Sequence, residues 1–147
     1  MSQSMALDRR ARLPLRRRLL PLLAVGVARP LARLTPLRLR TVLEFARRGA
    51  APADAGQAQR ARDQVVSVSL RCAGQNCLQR SLATALLCRA RGVWPTWSTG
   101  VRTHPFAAHA WVEAEGRLIG EPHPKDYFKP LLTVPPLPRP RPDGAAR

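Results

Sequence analysis

The chain is expected to be α+β, with helices leading and a small antiparallel sheet following. Two observations predict this. Apolar residues recur at helical spacing up to Gly92, and beyond it the period shortens to two. A third is a glycine-bearing turn, Ala114-Glu115-Gly116-Arg117, between two alternating runs, which is the pattern of a β-hairpin. Helices first and hairpin-connected strands second give an α+β unit rather than a parallel α/β one.

Taken in order, Met1 to Arg48 is rich in arginine and short apolar residues, and Pro14, Pro21, Pro30 and Pro36 divide it into short helical pieces. The run Leu19 to Ala28 after Arg16-Arg17-Arg18 is like a secretory signal. It is nevertheless short, contains Pro21 and is followed by Arg29 and Arg33. Ten apolar residues do not span a bilayer. A helical pair that packs on the domain or lies on a membrane surface fits better. Ala50 to Gly56 has the composition of a linker.

Gln57 to Leu70 carries Ala58, Ala61, Val65, Val66 and Val68 as a loose helical stripe, and Gly74-Gln75-Asn76 interrupts it. A second helix begins at Cys77, with Asn76 at the N-cap position and Leu78, Leu82, Ala85, Leu86 and Arg89 at helical spacing until Gly92. Val93 to Arg102 is rich in β-formers, Phe106 to Glu113 alternates, and Arg117 to Glu121 is the returning strand. After Pro135 the chain alternates proline with arginine and has nothing apolar to bury. The expected organisation is therefore a basic, proline-punctuated segment and linker at 1–56, a compact unit at 57–134, and a disordered tail at 135–147.

The 147 residues carry a net charge of +16. That balance suits an acidic partner, whether nucleic acid, anionic lipid or acidic peptide. A nucleic-acid module would interleave its cations with aromatics, and here the aromatics lie in the central block. No nucleic-acid partner is expected. Three cysteines without framework spacing fit a reducing compartment, hence a cytoplasmic protein with membrane contact through its basic N-terminal segment.

Chemistry concentrates at two residues. Cys77 opens a helix, where the outward-pointing backbone amides lower a thiol's pKa and can hold an oxyanion. His109 lies on an alternating strand between Ala108 and Ala110, which leaves room for a reacting group. An imidazole acting as general base needs a group that fixes its tautomer. Glu121, twelve residues on, is folded back beside it by the hairpin; Asp126 and Glu113 are the rivals. On helix, strand and return strand, these specify a Cys-His-carboxylate site of the papain or transglutaminase kind. Cys72 and Cys88 suit buried structural thiols, and His104 and His123 fall beside prolines in loops. The pairs Cys72-x4-Cys77 and His104-x4-His109 offer zinc-ligand types, but the gap between them is longer than in small zinc modules. No metal or cofactor is expected.

The blocks Ser67-Val-Ser-Leu-Arg-Cys72, Cys77-Leu-Gln-Arg-Ser-Leu-Ala83, Gly100-Val-Arg102, Phe106-Ala-Ala-His-Ala-Trp-Val-Glu113 and Gly116-Arg117 resemble the lasso-peptide biosynthesis B2 proteins. Those are leader peptidases on a transglutaminase-like core. The resemblance covers about 57–128. It implies Cys77 as nucleophile, His109 as general base and Glu121 as the orienting acid, where that family usually has aspartate. It also implies a ribosomal precursor peptide as substrate, a separate leader-binding B1-type protein, and an asparagine-synthetase-like cyclase acting on the freed core. The same core also serves transglutaminase-like acyltransferases and amidases, and a basic binding protein without enzymatic activity is the reading furthest from it.

Overall fold

The computed structural model describes residues 14–139; 1–13 and 140–147, including most of the Pro/Arg-rich tail, lie outside the described residues. The elements follow the order α1 (Leu15–Leu31), α2 (Pro36–Ala46), β1 (Ala51–Pro52), α3 (Ala55–Val68), α4 (Leu70–Ala73), α5 (Cys77–Ala90), β2 (Val93–Trp94), β3 (Thr96–Thr103), β4 (Phe106–Ala114), β5 (Arg117–Leu118) and β6 (Lys129–Val134). The α+β class expected from the sequence is what the chain adopts, with a four-stranded sheet in the order β5-β4-β3-β6 and antiparallel neighbours throughout.

The sheet is built from tight connections. Thr103 pairs with Phe106 across a two-residue turn whose His104–Pro105 peptide is cis. At Glu115-Gly116 both residues have positive φ, +53° and +72°. That is the paired left-handed geometry of a type I′ hairpin turn, for which a glycine in the second position is suited.

Helix α5 lies against α1 and α3 on one side and β4 on another. Its buried residues include Ser81, Leu82, Ala83, Thr84, Ala85, Leu87 and Cys88, so burial wraps most of the helix instead of following one stripe. Small residues permit the close approach: Ala24 and Ala28 on α1, Ala58 and Ala61 on α3, and Ala83 and Ala85 on α5 share one apolar cluster with Trp94, Trp97 and Val112. The indole N–H of Trp97 donates to Ser81 Oγ at 3.0 Å, and that hydroxyl donates to the Leu78 carbonyl at 2.9 Å. The first two turns of α5 are thereby fastened to the sheet.

The N-terminal region differs from the expectation in two ways. Instead of short pieces, residues 15–31 form one helix with Pro21 and Pro30 inside it. Pro21 costs that helix a backbone bond, but it is fully buried, and the packing of α1 on α5 and α3 offsets the loss. Pro36, at the start of α2, is where a helix accepts proline readily. Second, the core reaches outside 57–134, since Val25, Ala28, Leu39 and Leu43 belong to the same cluster as the sheet residues. Arg89 of α5 donates to the Ala46 and Arg48 carbonyls and ties the end of α2 to the nucleus of the fold.

Ala50 to Gly56 is also more ordered than a linker. Ala51–Pro52 pairs in parallel with Val93–Trp94. Asp54 then caps α3: it accepts from the Gln57 amide at 2.7 Å while the Gln57 side chain accepts from the Asp54 amide at 2.9 Å. This is a reciprocal capping box.

Between β3 and β6 the register shifts at Thr99/Gly100, the point where Gly100 faces His109 on the other neighbour. A Cβ at Gly100 would stand 2.2 Å from the Lys129 carbonyl oxygen, a backbone atom that cannot swing away. Gly100→Ala should therefore destabilise the chain by about 1–3 kcal/mol through overpacking, read as a lowered urea midpoint. A midpoint equal to that of the parent chain would contradict the close approach.

Candidate active site

Cys77 is the first residue of α5. The chain enters the helix through a tight turn in which the Cys77 amide donates to the Gln75 carbonyl at 2.9 Å and Asn76 has φ −82° and ψ 65°. That is the geometry of an inverse γ-turn. Asn76 thus occupies the N-cap position predicted for it, but its side chain makes no capping bond. The Cys77 amide is also occupied, not pointing outward as the sequence suggested. Of the first-turn amides that a helix leaves unpaired, those of Leu78 and Gln79 remain to face a ligand.

Strand β4 carries His109 to the Cys77 side chain, near enough that each group shifts the ionisation of the other. The ring's Nε2 stands 2.6 Å from Glu121 Oε2, which leaves Nδ1 for the sulfur. The three residues singled out from the sequence are thus brought together, on a helix start, a strand and the segment after the hairpin. The His109 and Glu121 side chains are 16% and 6% exposed, so the pair is largely shielded from water. Thr99 Oγ1 donates to the His109 carbonyl at 3.0 Å and fixes the strand at that position.

Glu121 arrives by a different route from the one expected. The returning strand is short, since β5 is only Arg117–Leu118 and the last bond of the ladder runs from the Ile119 amide to the Val112 carbonyl. Continued in register, the strand would set Glu121 opposite Ala110, on the face turned from His109. Gly120, with φ +62°, ends the ladder and lets Glu121 turn toward the imidazole. The buried Arg62 packs over Gly120, where a Cβ would stand 2.3 Å from its Nε.

The rival carboxylates are elsewhere. Glu113 accepts from the Trp111 indole at 2.9 Å and lies 3.6 Å from Lys125 Nζ. Asp126 is exposed. His104 is exposed beside Thr103, and His123 stacks on Tyr127 with ring centroids 4.3 Å apart. Among the described residues no group of three or more His, Cys, Asp or Glu gathers as metal ligands.

The electrostatics of the pair follow from opposing causes. For Cys77, burial opposes ionisation, but the hydrogen bond to His109, a bond from the Ala110 amide, and the charges of His109 and Arg80 outweigh it, so the thiol titrates below its ordinary value. For His109, burial opposes the proton, and the bonds to Cys77 and Glu121 with their negative charges raise the imidazole to about 9. The opposite directions of the two shifts are those that favour a thiolate–imidazolium pair. Cys72 and Cys88 are buried, and burial raises both thiols, Cys88 to about 12.

Three contributors were not singled out from the sequence. The Ala110 amide has no residue-type signal, since any amino acid supplies it. Arg80 donates to the Cys72 and Gly74 carbonyls at 3.3 and 3.1 Å and so holds the segment leading into Cys77; its place three residues into the helix from Cys77 was a usable signal. Phe128 stacks on the His109 ring, with centroids 4.9 Å apart and planes 28° from parallel.

In comparison with known proteins, a family model described as the transglutaminase-like superfamily matches residues 21–133. No curated protein and no solved structure matches. The matched span starts within α1 and ends within β6, so it includes the N-terminal helices as well as the nucleophile helix and sheet.

Thiol alkylation tests the ion pair without any substrate. Iodoacetamide should label Cys77 alone in the folded chain, at a pH below that at which an ordinary thiol reacts, with labelling read by peptide mass spectrometry. His109→Ala should slow that labelling about tenfold or more near pH 6, because the thiol then loses its cationic partner. Equal labelling of Cys72 or Cys88, or an unchanged rate in the variant, would sink the assignment.

Proposed function

The chain belongs to the transglutaminase-like superfamily, and from that premise we propose that it is a cysteine peptidase that removes the leader from a lasso-peptide precursor. The observation that carries the peptidase reading is the single imidazole set between a thiol whose pKa it lowers and a buried carboxylate 2.6 Å away. The identity of the substrate rests on the motif resemblance around Cys77 and His109.

Cys77 thiolate attacks the scissile carbonyl of the precursor. The oxyanion that forms faces the start of α5, where the Leu78 and Gln79 amides and the positive end of the helix lower its energy. His109 gives its proton to the leaving amine, which becomes the new N-terminus of the core peptide. The acyl-enzyme is a thioester of the leader. Water enters, His109 takes a proton from it, and the leader is released with its carboxylate. Glu121 holds the imidazole in one tautomer throughout and favours its protonated form. A separate leader-binding protein would present the precursor, and a lasso cyclase would receive the core.

Superfamily chemistry divides at the acceptor: water gives cleavage, and an amine gives transfer. The expected product is therefore free leader plus free core when precursor and leader-binding protein are supplied. An amine-linked leader formed in preference would move the reading to acyl transfer.

Cys77→Ala should abolish cleavage in a folded chain that still binds leader. His109→Ala should cost about 10²–10⁴-fold in kcat, and Glu121→Ala less than that, whereas Asp126→Ala should be nearly silent. Precursor cleavage followed by mass spectrometry reads all four. A Cys77→Ala chain that cuts, or Asp126→Ala losing more than Glu121→Ala, would overturn the assignment.

The pH profile follows from the ion pair. Activity should rise with pH as Cys77 ionises at its lowered pKa, and fall as His109 loses its proton around 9. Replacing Glu121 by glutamine removes the negative charge that raises the imidazole, so the alkaline limb should move to lower pH. An alkaline limb that does not move would separate Glu121 from that role.

A further inference from the structure

The outward face of α1 is the reverse of what a surface helix normally shows. A helix packed on a domain buries its apolar stripe and turns charge to water. On α1 the buried positions are small, Ala24, Val25 and Ala28 with Pro21, while its leucines other than Leu31 are exposed along with arginines at either end. Leu15, Leu19 and Leu23 are 79%, 66% and 65% exposed, and Leu22 and Val27 about half exposed. Spaced by three and four residues, they line one side of the helix for its whole length. Contiguous exposed apolar surface of this kind marks a site where something else binds.

The charges around that stripe indicate what. Arg16, Arg17 and Arg18 stand at its start, and Arg29 and Arg33 at its end. From Pro14 to Leu43 the chain holds seven arginines and no acidic residue. Beside the stripe, Arg16 and Arg17 join Arg60 and Arg91 around an open groove of about 480 Å³, which Leu20 also lines. Arg91 is hydrogen-bonded to Gln64 there, so part of that rim is held in place. The groove combines four cations with an adjacent leucine, which suits a phosphate headgroup attached to an acyl chain.

No helix among the described residues is long and apolar enough to cross a membrane, so the stripe is a surface element and not a span. It is convex and aliphatic, and no Trp or Tyr projects from it as protein interface anchors do. An apolar helix face flanked by arginines is the composition of a helix lying in the plane of an anionic bilayer, with its leucines among the acyl chains and its guanidinium groups reaching the phosphates.

We propose that α1 docks this protein on an anionic lipid surface through Leu15, Leu19, Leu22 and Leu23, with Arg16, Arg17, Arg60 and Arg91 holding the headgroups. This does not depend on the peptidase reading. Because α1 packs along α5, whose first residue is Cys77, docking would hold the reactive thiol at a fixed distance from the membrane.

The test is co-sedimentation of the full chain with vesicles of phosphatidylcholine, alone or mixed with phosphatidylglycerol. Binding to the mixed vesicles is expected, with little to the neutral ones, and with a fall as salt is raised. Leu19→Gln with Leu23→Gln should weaken binding about tenfold or more. Both side chains are mostly in water, and an unchanged thermal midpoint checks that the double variant is folded. Cys77→Ala should bind as the parent does. Failure to bind the mixed vesicles at low salt, or equal binding by the folded double variant, would overturn the proposal. So would a dimer that the double variant abolishes in a chain that leaves vesicles unbound, because the face would then belong to a second copy.

Discussion

Everything about the site depends on where the start of α5 is held against β4. One residue of helix is about 1.5 Å of rise, and a slide of that size is enough to part a thiol from an imidazole it hydrogen-bonds. The fold prevents the slide by burying α5 on several sides at once. Alanines on α1, α3 and α5 bring the three helices close, and large aromatics, Trp94 and Trp97, fill the gap between helix and sheet. The Trp97–Ser81 bond then sets height along the helix axis, because it joins a fixed point on β3 to the second turn of α5. The N-terminal helices are part of this clamp, and a chain without them would lose one wall of the helix carrying Cys77.

Within that frame, proximity overcomes desolvation. Burial alone would keep Cys77 neutral and strip the proton from His109, and the other two thiols show the outcome when burial outweighs what opposes it: both are raised, although Ser69 and Arg80 act against burial at Cys72 and Arg91 at Cys88. At Cys77 an imidazole, a backbone amide and the charge of Arg80 together outweigh burial. Two opposite charges about 4 Å apart attract by about 4 kcal/mol at an effective dielectric constant near 20, enough to reverse the sign of a burial shift. One residue type in one chain therefore has two behaviours, and the difference is in the neighbours.

Much of this was legible in the sequence, because the signals were local. The change of period at Gly92 separates helices from strands, the Glu115-Gly116 turn fixes the hairpin, and Cys77 follows a helix-breaking Gly-Gln-Asn. Asp54-x-x-Gln57 was also legible as a capping box, though composition made it look like a linker. What was not legible is non-local. Pro21 reads as a breaker until its burial between helices is known, and although a helical pair packed on the domain was expected, no periodicity reports that Val25, Ala28, Leu39 and Leu43 join the same core as the sheet. The γ-turn that occupies the Cys77 amide, and the Ala110 amide that helps lower its thiol's pKa, are backbone features to which side-chain identity gives no clue.

Glu121 shows most plainly how a local departure from regular structure serves the site. The resemblance led to an aspartate where this chain has a glutamate, one methylene longer. A residue held in the β5 ladder at this position would pair with Ala110 and face away from the imidazole, so neither acid would serve from there. The ladder instead stops after Ile119, and Gly120 takes a positive φ that side chains resist. Arg62 lies over that glycine where a Cβ would be, which makes the position doubly selective for glycine. Past the turn, the backbone has left the strand, and the Glu121 carboxylate stands 2.6 Å from His109. The glutamate and the glycine before it thus act together: the break in the strand supplies the direction, and the carboxylate beyond it meets the imidazole.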